Sequence, residues 1–376
     1  MAIVLEYKVS RSLFYLVSIG LLIRVSIAIW NGFFGPSFGA GLDAAAFHLK
    51  ALEYSQNLTL ETFKIGWIYS YILGVVYSIT SDSLFLGSML SCITWVFSAS
   101  FLIKILKLLS LNKRSQYWVI LIYTFLPSSL MYTSVTLREV YQLLFVNMII
   151  YAALMIILKK TPRYWWILLI GVIGAGSLHG GLMAFGIVSI ALTLFFSSTS
   201  KKGNKSFIKL IIALPFIFLV LFYGINFIQD QAFNLEEGIT NAISHKQEGA
   251  LKIDARAMYK FSVNISGAAD LITFIPMSLI QYLFEPAPWR ISSIIDIPVF
   301  LENLLRFWLI WHAIKSLRNA PSSYYRPVLF CFLSYLALET IWSIGTINWG
   351  TASRHHIPSI GILLALAFFN LKKAKA

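Results

Sequence analysis

An all-α, polytopic integral membrane protein is the fold class this sequence predicts, and three observations carry it. Of 376 residues, 58% are hydrophobic and only 12% charged, with a mean hydropathy of +0.75. That is more apolar surface than one water-soluble core hides. Apolar runs long enough to cross roughly 30 Å of hydrocarbon, which takes about 20 helical residues, recur along the whole chain. The net charge of +14 is not spread over a face, because the Lys and Arg sit in short clusters between those runs. Such clusters mark cytoplasmic loops and argue against a nucleic-acid partner.

Ten runs predict membrane spans, at 13–32, 84–103, 117–135, 140–158, 164–179, 181–198, 208–227, 296–314, 327–345 and 357–371. Bulky residues and a long polar loop follow the first of these, rather than a small-residue cleavage site, so it reads as a retained anchor. Two further runs, 65–79 and 271–284, are shorter. Charge decides their placement. If neither crosses, one side collects Lys104, Lys107, Lys113 and Arg114; Lys159, Lys160 and Arg163; Lys201, Lys202, Lys205 and Lys209; Lys315, Arg318 and Arg326; and the basic residues of both termini. The positive-inside rule makes that side cytoplasmic. If both crossed, the three clusters between 104 and 209 would face outward. The two runs are therefore expected as short external helices, juxtamembrane or re-entrant.

Of the 16 acidic residues only Glu6 falls on the cytoplasmic side, so polar chemistry is expected outside. Residues 1–376 form one integral-membrane unit without internal repeats, with external segments 33–83 and 228–295 covering a site. Both termini are expected in the cytoplasm and the bilayer is the surrounding partner. Cys92 and Cys331 lie inside apolar runs and read as small buried hydrophobes.

The external segments carry the candidate chemistry. In "GLDAAAFHLK", Asp43 suits the N-cap of an amphipathic helix or a general base at head-group level. His48 follows about 140° further round the helix, so the two need no common partner. In "SVTLREVYQ", Arg138 and Glu139 interrupt an apolar stretch. Such a pair at membrane depth is a snorkelling contact or a guanidinium site for phosphate. His179 lies in the glycine-rich bend "GSLHGGLMAFG", as a loop residue or a phosphate or sugar contact. "QYLFEPAPWR" brings Glu285, Trp289 and Arg290, either an interface belt or a carbohydrate platform. "NWGTASRHHIPSIG" adds Arg354, His355 and His356, a cationic cluster at a helix start that suits an anion. The spacing of these histidines gives no metal site. Within the spans, Glu302 and Arg306 stand four residues apart and are expected to pair, and Arg24 is expected to pair with Glu339 or Glu302.

An Asp in the first external loop, short external helices after it and basic cytoplasmic turns resemble the membrane glycosyltransferases of the GT-C type. "LPSSLMYTSVTLREVYQ", "LFEPAPW" and "ASRHHIPSIG" further resemble bacterial membrane proteins of polysaccharide gene clusters, including the O-antigen polymerase class. The resemblance implies transfer of a sugar or oligosaccharide from a polyprenyl phosphate or diphosphate to an acceptor glycan, outside the bacterial cytoplasmic (inner) membrane. Flippases and chain-length regulators would be its working partners. In that reading Asp43 is the base, with Glu139 beside the reaction. Arg138, Arg290 and Arg354 hold phosphate with His179 or His355 assisting, and Trp289 stacks on sugar. Many GT-C enzymes have an acidic pair where this chain has Asp43-Ala44-Ala45. No cofactor is therefore assigned, and a divalent metal is left open. A transporter or flippase of lipid-linked oligosaccharide is the alternative, for which inverted repeats would be expected.

Overall fold

The computed structural model describes residues 10–35, 41–58, 65–197, 257–259 and 270–369. The expected span at 208–227, most of the external segment 228–295 and the basic residues at 201–209 lie outside the described residues. So do those of the C-terminus and Lys8.

Regular structure among the described residues is helical. Helix α1 (Arg11–Phe33) is followed by the polar-end helices α2 (Gly41–Gln56) and α3 (Ile68–Ile79). Next come α4 (Leu84–Leu108), α5 (Lys113–Phe125), α6 (Pro127–Tyr132) and α7 (Glu139–Lys159). Helices α8 (Tyr164–Leu178) and α9 (Gly180–Ser197) complete the first part. The second part contains α10 (Leu271–Phe284), α11 (Asp296–Arg318), α12 (Ser322–Gly345), α13 (Trp349–His355) and α14 (Ile360–Ala367). Six of them, α1, α4, α7, α9, α11 and α12, are long and apolar enough to cross a membrane.

Helices α4 and α7 form the centre, with Trp95, Leu102, Leu143 and Ile150 among residues that have no exposure. The outer face of α11 exposes Leu304, Phe307 and Trp311, as a helix facing hydrocarbon should. The expected short helices at 65–79 and 271–284 are present as the 3-10 turn Ile65–Trp67 with α3, and as α10.

The run 117–135 is not one helix. Leu126 adopts an extended conformation, and Pro127, which has no N–H and cannot continue the preceding turn, starts α6. The break exposes backbone donors. Glu302 satisfies one of them: its Oε1 accepts the Ser128 N–H at 2.7 Å. Glu302 therefore serves a helix N-terminus instead of pairing with Arg306, which donates to Asn303 Oδ1 and to the Leu283 carbonyl.

Arg24 also departs from expectation. Its guanidinium donates to Thr133 Oγ1 (2.8 Å), Ser129 Oγ (3.1 Å) and the carbonyls of Thr124 (3.1 Å) and Gly20 (3.2 Å). It lies 3.7 Å from the Trp95 ring. The interrupted helix offers enough oxygens to bind this cation without Glu302 or Glu339.

The remaining runs differ in length. Helix α8 has 15 residues, and α14 keeps only Ile360–Ala367 of the run 357–371 as α-helix.

Two glycines set the geometry at the polar end, which gathers the C-terminus of α1 and the N-termini of α4 and α7. A Cβ on Gly74 would stand 2.8 Å from the Ala51 carbonyl oxygen, so α2 and α3 pack backbone to backbone. A Cβ on Gly87 would stand 2.8 Å from the Thr136 side chain. Thr136 in turn donates to the Leu84 carbonyl at 3.1 Å. The segment from Thr133 to Leu137 is thereby buried.

Candidate functional site

Helix α13 is the hub of the polar end. Asn348 caps it, its Oδ1 accepting the Thr351 N–H at 2.7 Å. Residues 257–259 pair antiparallel beside the cap, with Tyr259 N donating to Ile347 O (3.0 Å) and Trp349 N to Ala257 O (3.1 Å). Tyr132 of α6 reaches Ser353 at 3.1 Å. A helix of 7 residues is thus fixed from three parts of the chain.

Arg354 projects from α13 between two carboxylates. Its Nη2 and Nε donate to Glu139 Oε1 at 2.8 and 3.1 Å, and Nη1 donates to Asp43 Oδ2. Glu139 is buried in the first turn of α7, where the positive helix end supports a carboxylate. Asp43 is half exposed and lies inside the first turn of α2, which begins at Gly41, rather than at the expected N-cap. Burial works against the charge of Arg354, but Glu139 and Asp43 outweigh it and hold the guanidinium above its ordinary pKa.

Arg138 adjoins this triad. Its Nη1 donates to the Leu178 carbonyl at 3.1 Å and its guanidinium lies 5.5 Å from the Phe47 ring centroid. Among the described residues no carboxylate forms an ion pair with it. Burial pushes its pKa down, Glu139 opposes that shift and Arg354 adds to it. Among the described residues, the buried Nε of Arg138 and the buried Oε2 of Glu139 have no hydrogen-bond partner. One unused donor and one unused acceptor therefore sit on consecutive residues.

The histidines divide. The His355 ring stacks on Trp342 at 4.0 Å, and His179 meets the other ring contact of that indole at 4.4 Å. Thr346 Oγ1 gives its one hydrogen to the Trp342 carbonyl (2.8 Å). Toward His355 Nδ1, 2.9 Å away, it must accept. Nδ1 thus carries the proton and Nε2 is the basic nitrogen. Burial, followed by His179 and the guanidiniums of Arg354 and Arg138, pushes His355 well below the ordinary imidazole pKa. His179 accepts the Gly181 N–H through Nδ1 at 3.0 Å, fixing the start of α9.

His356 turns inward, placing Nδ1 2.8 Å from Glu339 and Nε2 3.1 Å from the Tyr282 carbonyl. Glu339 also accepts from Ser359, so it is engaged here and not with Arg24. His48 stands apart from Asp43 and meets the Tyr77 hydroxyl at 2.9 Å.

A second group occupies the opposite end of α13. Arg290 forms an ion pair with Glu285 at 3.1 Å, donates to the Met258 carbonyl and lies 4.9 Å from the Trp349 ring. Trp349 Nε1 donates to Asp296 Oδ1 at 3.0 Å. Asp296 Oδ2 accepts the N–H groups of Ser292 (3.2 Å) and Ser293 (3.1 Å). Trp289 is 84% exposed.

Of the residues singled out from the sequence, Asp43, Glu139 and Arg354 are in contact, with Arg138 beside them and His355 adjoining. Glu285 and Arg290 share the same end. His48, His356 and Trp289 do not touch the triad. Trp342, Thr346, Asn348 and Asp296 complete the arrangement without having been singled out. Only Asn348 carried a readable local signal, as an N-cap three residues before Thr351.

No protein-family model matches this chain, and no curated protein or solved structure does either.

Proposed function

We propose that this protein is a bacterial membrane glycosyltransferase. It uses a polyprenyl phosphate- or diphosphate-linked sugar or oligosaccharide at the external face of the cytoplasmic membrane, and joins O-antigen or capsular repeat units. The observation that supports this best is the buried cluster of Arg138, Glu139 and Arg354, closed on one side by Asp43 of α2. An unused guanidinium donor beside an unused carboxylate acceptor suits a reaction that separates a proton from an acceptor and charge onto a leaving group.

In this reading the acceptor hydroxyl oxygen attacks the anomeric carbon of the donor. Its proton passes to a carboxylate, the bond from that carbon to the phosphate oxygen breaks, and polyprenyl phosphate or diphosphate departs. Arg138 and Arg354 receive the phosphate charge. Asp43 and Glu139 both qualify as the proton acceptor: Asp43 is the more exposed, and Glu139 has the oxygen without a partner. Arg290 is assigned with Arg138 and Arg354 to the phosphate, and Trp289 to stacking on sugar. No cofactor is assigned to this scheme. The alternative, a flippase for lipid-linked oligosaccharide, draws support from the broken α5–α6 helix and its carboxylate cap.

The test is replacement of Asp43 by Asn and of Glu139 by Gln in cells whose only copy is the variant. Expected is loss of polymerised surface glycan, with lipid-linked single units accumulating on the outer leaflet. Accumulation on the inner leaflet would favour the flippase. Normal glycan in both variants would remove the transferase assignment.

A further inference from the structure

The Arg354 guanidinium meets its two carboxylates along different edges of the fork. The edge formed by Nε and Nη2 is filled from the buried side by Glu139 Oε1, at 3.1 and 2.8 Å. The other edge, at Nη1, meets Asp43 Oδ2. The two carboxylates differ in how firmly they are held. The Glu139 side chain is 2% exposed and stands in the first turn of α7, whereas that of Asp43 is 52% exposed. Among the described residues, Asp43 hydrogen-bonds through its side chain to Arg354 alone.

Asp43 can leave without moving its helix. It lies one turn before Phe47, whose carbonyl accepts the Ser70 hydroxyl at 3.0 Å, and α3 packs closely on the Ala51 backbone one turn further on. The helix behind Asp43 is thus held, and rotation of one side chain opens the Nη1 edge. A carboxylate half in water regains hydration as it leaves a guanidinium, so the exposed pair is the weaker one. Glu139 has no such exit, because a buried carboxylate parted from its cation is strongly destabilised.

Charge points the same way. Arg138 and Arg354 bring two positive charges, and Asp43 and Glu139 bring two negative ones, so the cluster is formally neutral. A phosphate group gains net attraction there only when one carboxylate steps aside. The guanidinium edge that Asp43 occupies also matches the oxygens of a phosphate.

We infer that the Nη1 edge of Arg354 is the binding position for the phosphate group of a prenyl phosphate or diphosphate, and that Asp43 holds this position in the free protein until the ligand displaces it. The identity of the ligand rests on the function proposed above, and the exchange rests on the two unequal ion pairs. Asp43 is then an internal competitor, and apparent affinity scales with the fraction of molecules whose Arg354 edge is open.

The experiment measures binding of farnesyl diphosphate to the full chain in phosphatidylcholine nanodiscs by isothermal titration calorimetry, with farnesol as the probe that lacks the phosphates. Asp43→Asn removes the competing charge. Asp82→Asn, between α3 and α4, removes the same charge from the same end of the bundle without touching Arg354. Both positions are exposed, so the fold tolerates either change. If Asp43 holds Arg354 in about nine molecules of ten, Asp43→Asn should bind farnesyl diphosphate about tenfold more tightly than wild type. Asp82→Asn should stay close to wild type, and farnesol should bind alike in all three proteins. Unchanged or weaker binding in Asp43→Asn would overturn the exchange, and so would equal tightening in Asp82→Asn, which reduces the effect to general surface charge. In either case the transferase reading would still stand or fall on the glycan of the variant cells. Farnesyl diphosphate bound no better than farnesol by any of the three proteins would overturn the exchange and the prenyl phosphate reading together.

Discussion

Arg354 and Glu139, 215 residues apart in sequence, meet at 2.8 Å in the buried polar end of the bundle, and the same guanidinium also reaches Asp43. One side chain thereby joins α2, α7 and α13. Replacing Arg354 by Ala leaves Glu139 buried without its cation, a change that costs about 3–5 kcal/mol where one partner of a buried ion pair is removed. The expected outcome is a clear drop in melting temperature. Adding Glu139→Gln to Arg354→Ala should cost less than the two single losses combined, because the stranded charge is removed. A strictly additive pair would show that the contact carries no coupling.

Close backbone approach gives a second prediction. Gly74→Ala places a methyl group 2.8 Å from the Ala51 carbonyl oxygen, an atom that cannot swing aside. A loss of about 1–3 kcal/mol is expected, together with faster proteolysis of the α2–α3 hairpin. Thermal stability and protease susceptibility equal to wild type would show that the two helices separate without cost.

The spans and the site were legible to different degrees, for physical reasons. Helices α1, α4, α7, α9, α11 and α12 follow from long apolar runs because hydrocarbon forces backbone hydrogen bonds to close within each helix. The α5–α6 break was signalled by Pro127, but the apolar run continued through it, and nothing local indicates that Glu302 supplies the missing acceptor. The partners of Arg24 were misjudged because charge pairing was expected. Hydroxyl and carbonyl oxygens around a broken helix satisfy the guanidinium instead. Residue type identified Asp43, Glu139 and Arg354 as candidates. Their meeting depends on tertiary packing between α2, α7 and α13, which no local periodicity encodes. Tautomer assignment at His355 likewise needed the Thr346 hydrogen bond.

The acid limb of stability should depend on His355. Its pKa is lowered in the folded protein, so below the ordinary value of 6.5 the unfolded chain takes up a proton that the folded chain refuses. Stability is therefore lost as pH falls below about 6.5, at up to about 1.4 kcal/mol per pH unit for one such group. His355→Gln retains a donor toward Thr346 and should flatten melting temperature against pH between about 5 and 7. His356, also lowered by burial, leaves a residual slope. An unchanged slope in His355→Gln would mean that His355 protonates freely in the folded state.

Arg24 makes four hydrogen bonds that hold α1 against the interrupted helix. Arg24→Met keeps much of the packing volume and removes every donor, leaving Thr124 and Gly20 carbonyls and two hydroxyls to find new partners. At about 1 kcal/mol for each buried group left unsatisfied, a loss of several kcal/mol is expected. A melting temperature within a degree or two of wild type would show that the oxygens find other partners.

Orientation can be tested with single cysteines, since Cys92 and Cys331 are both fully buried. Ser110 is exposed beside Lys107, Lys113 and Arg114, whereas Ser81 is exposed between α3 and α4 at the end that carries the Arg354 cluster. The positive-inside rule assigns the first to the cytoplasm and the second to the exterior. A membrane-impermeant maleimide applied to intact cells should label Ser81→Cys, and should reach Ser110→Cys only after permeabilisation. The reverse pattern would turn Asp43, Glu139 and Arg354 toward the cytoplasm. A donor presented on the outer leaflet could not then reach them, and the proposed transfer reaction would fail on topology whatever the fate of the active-site variants.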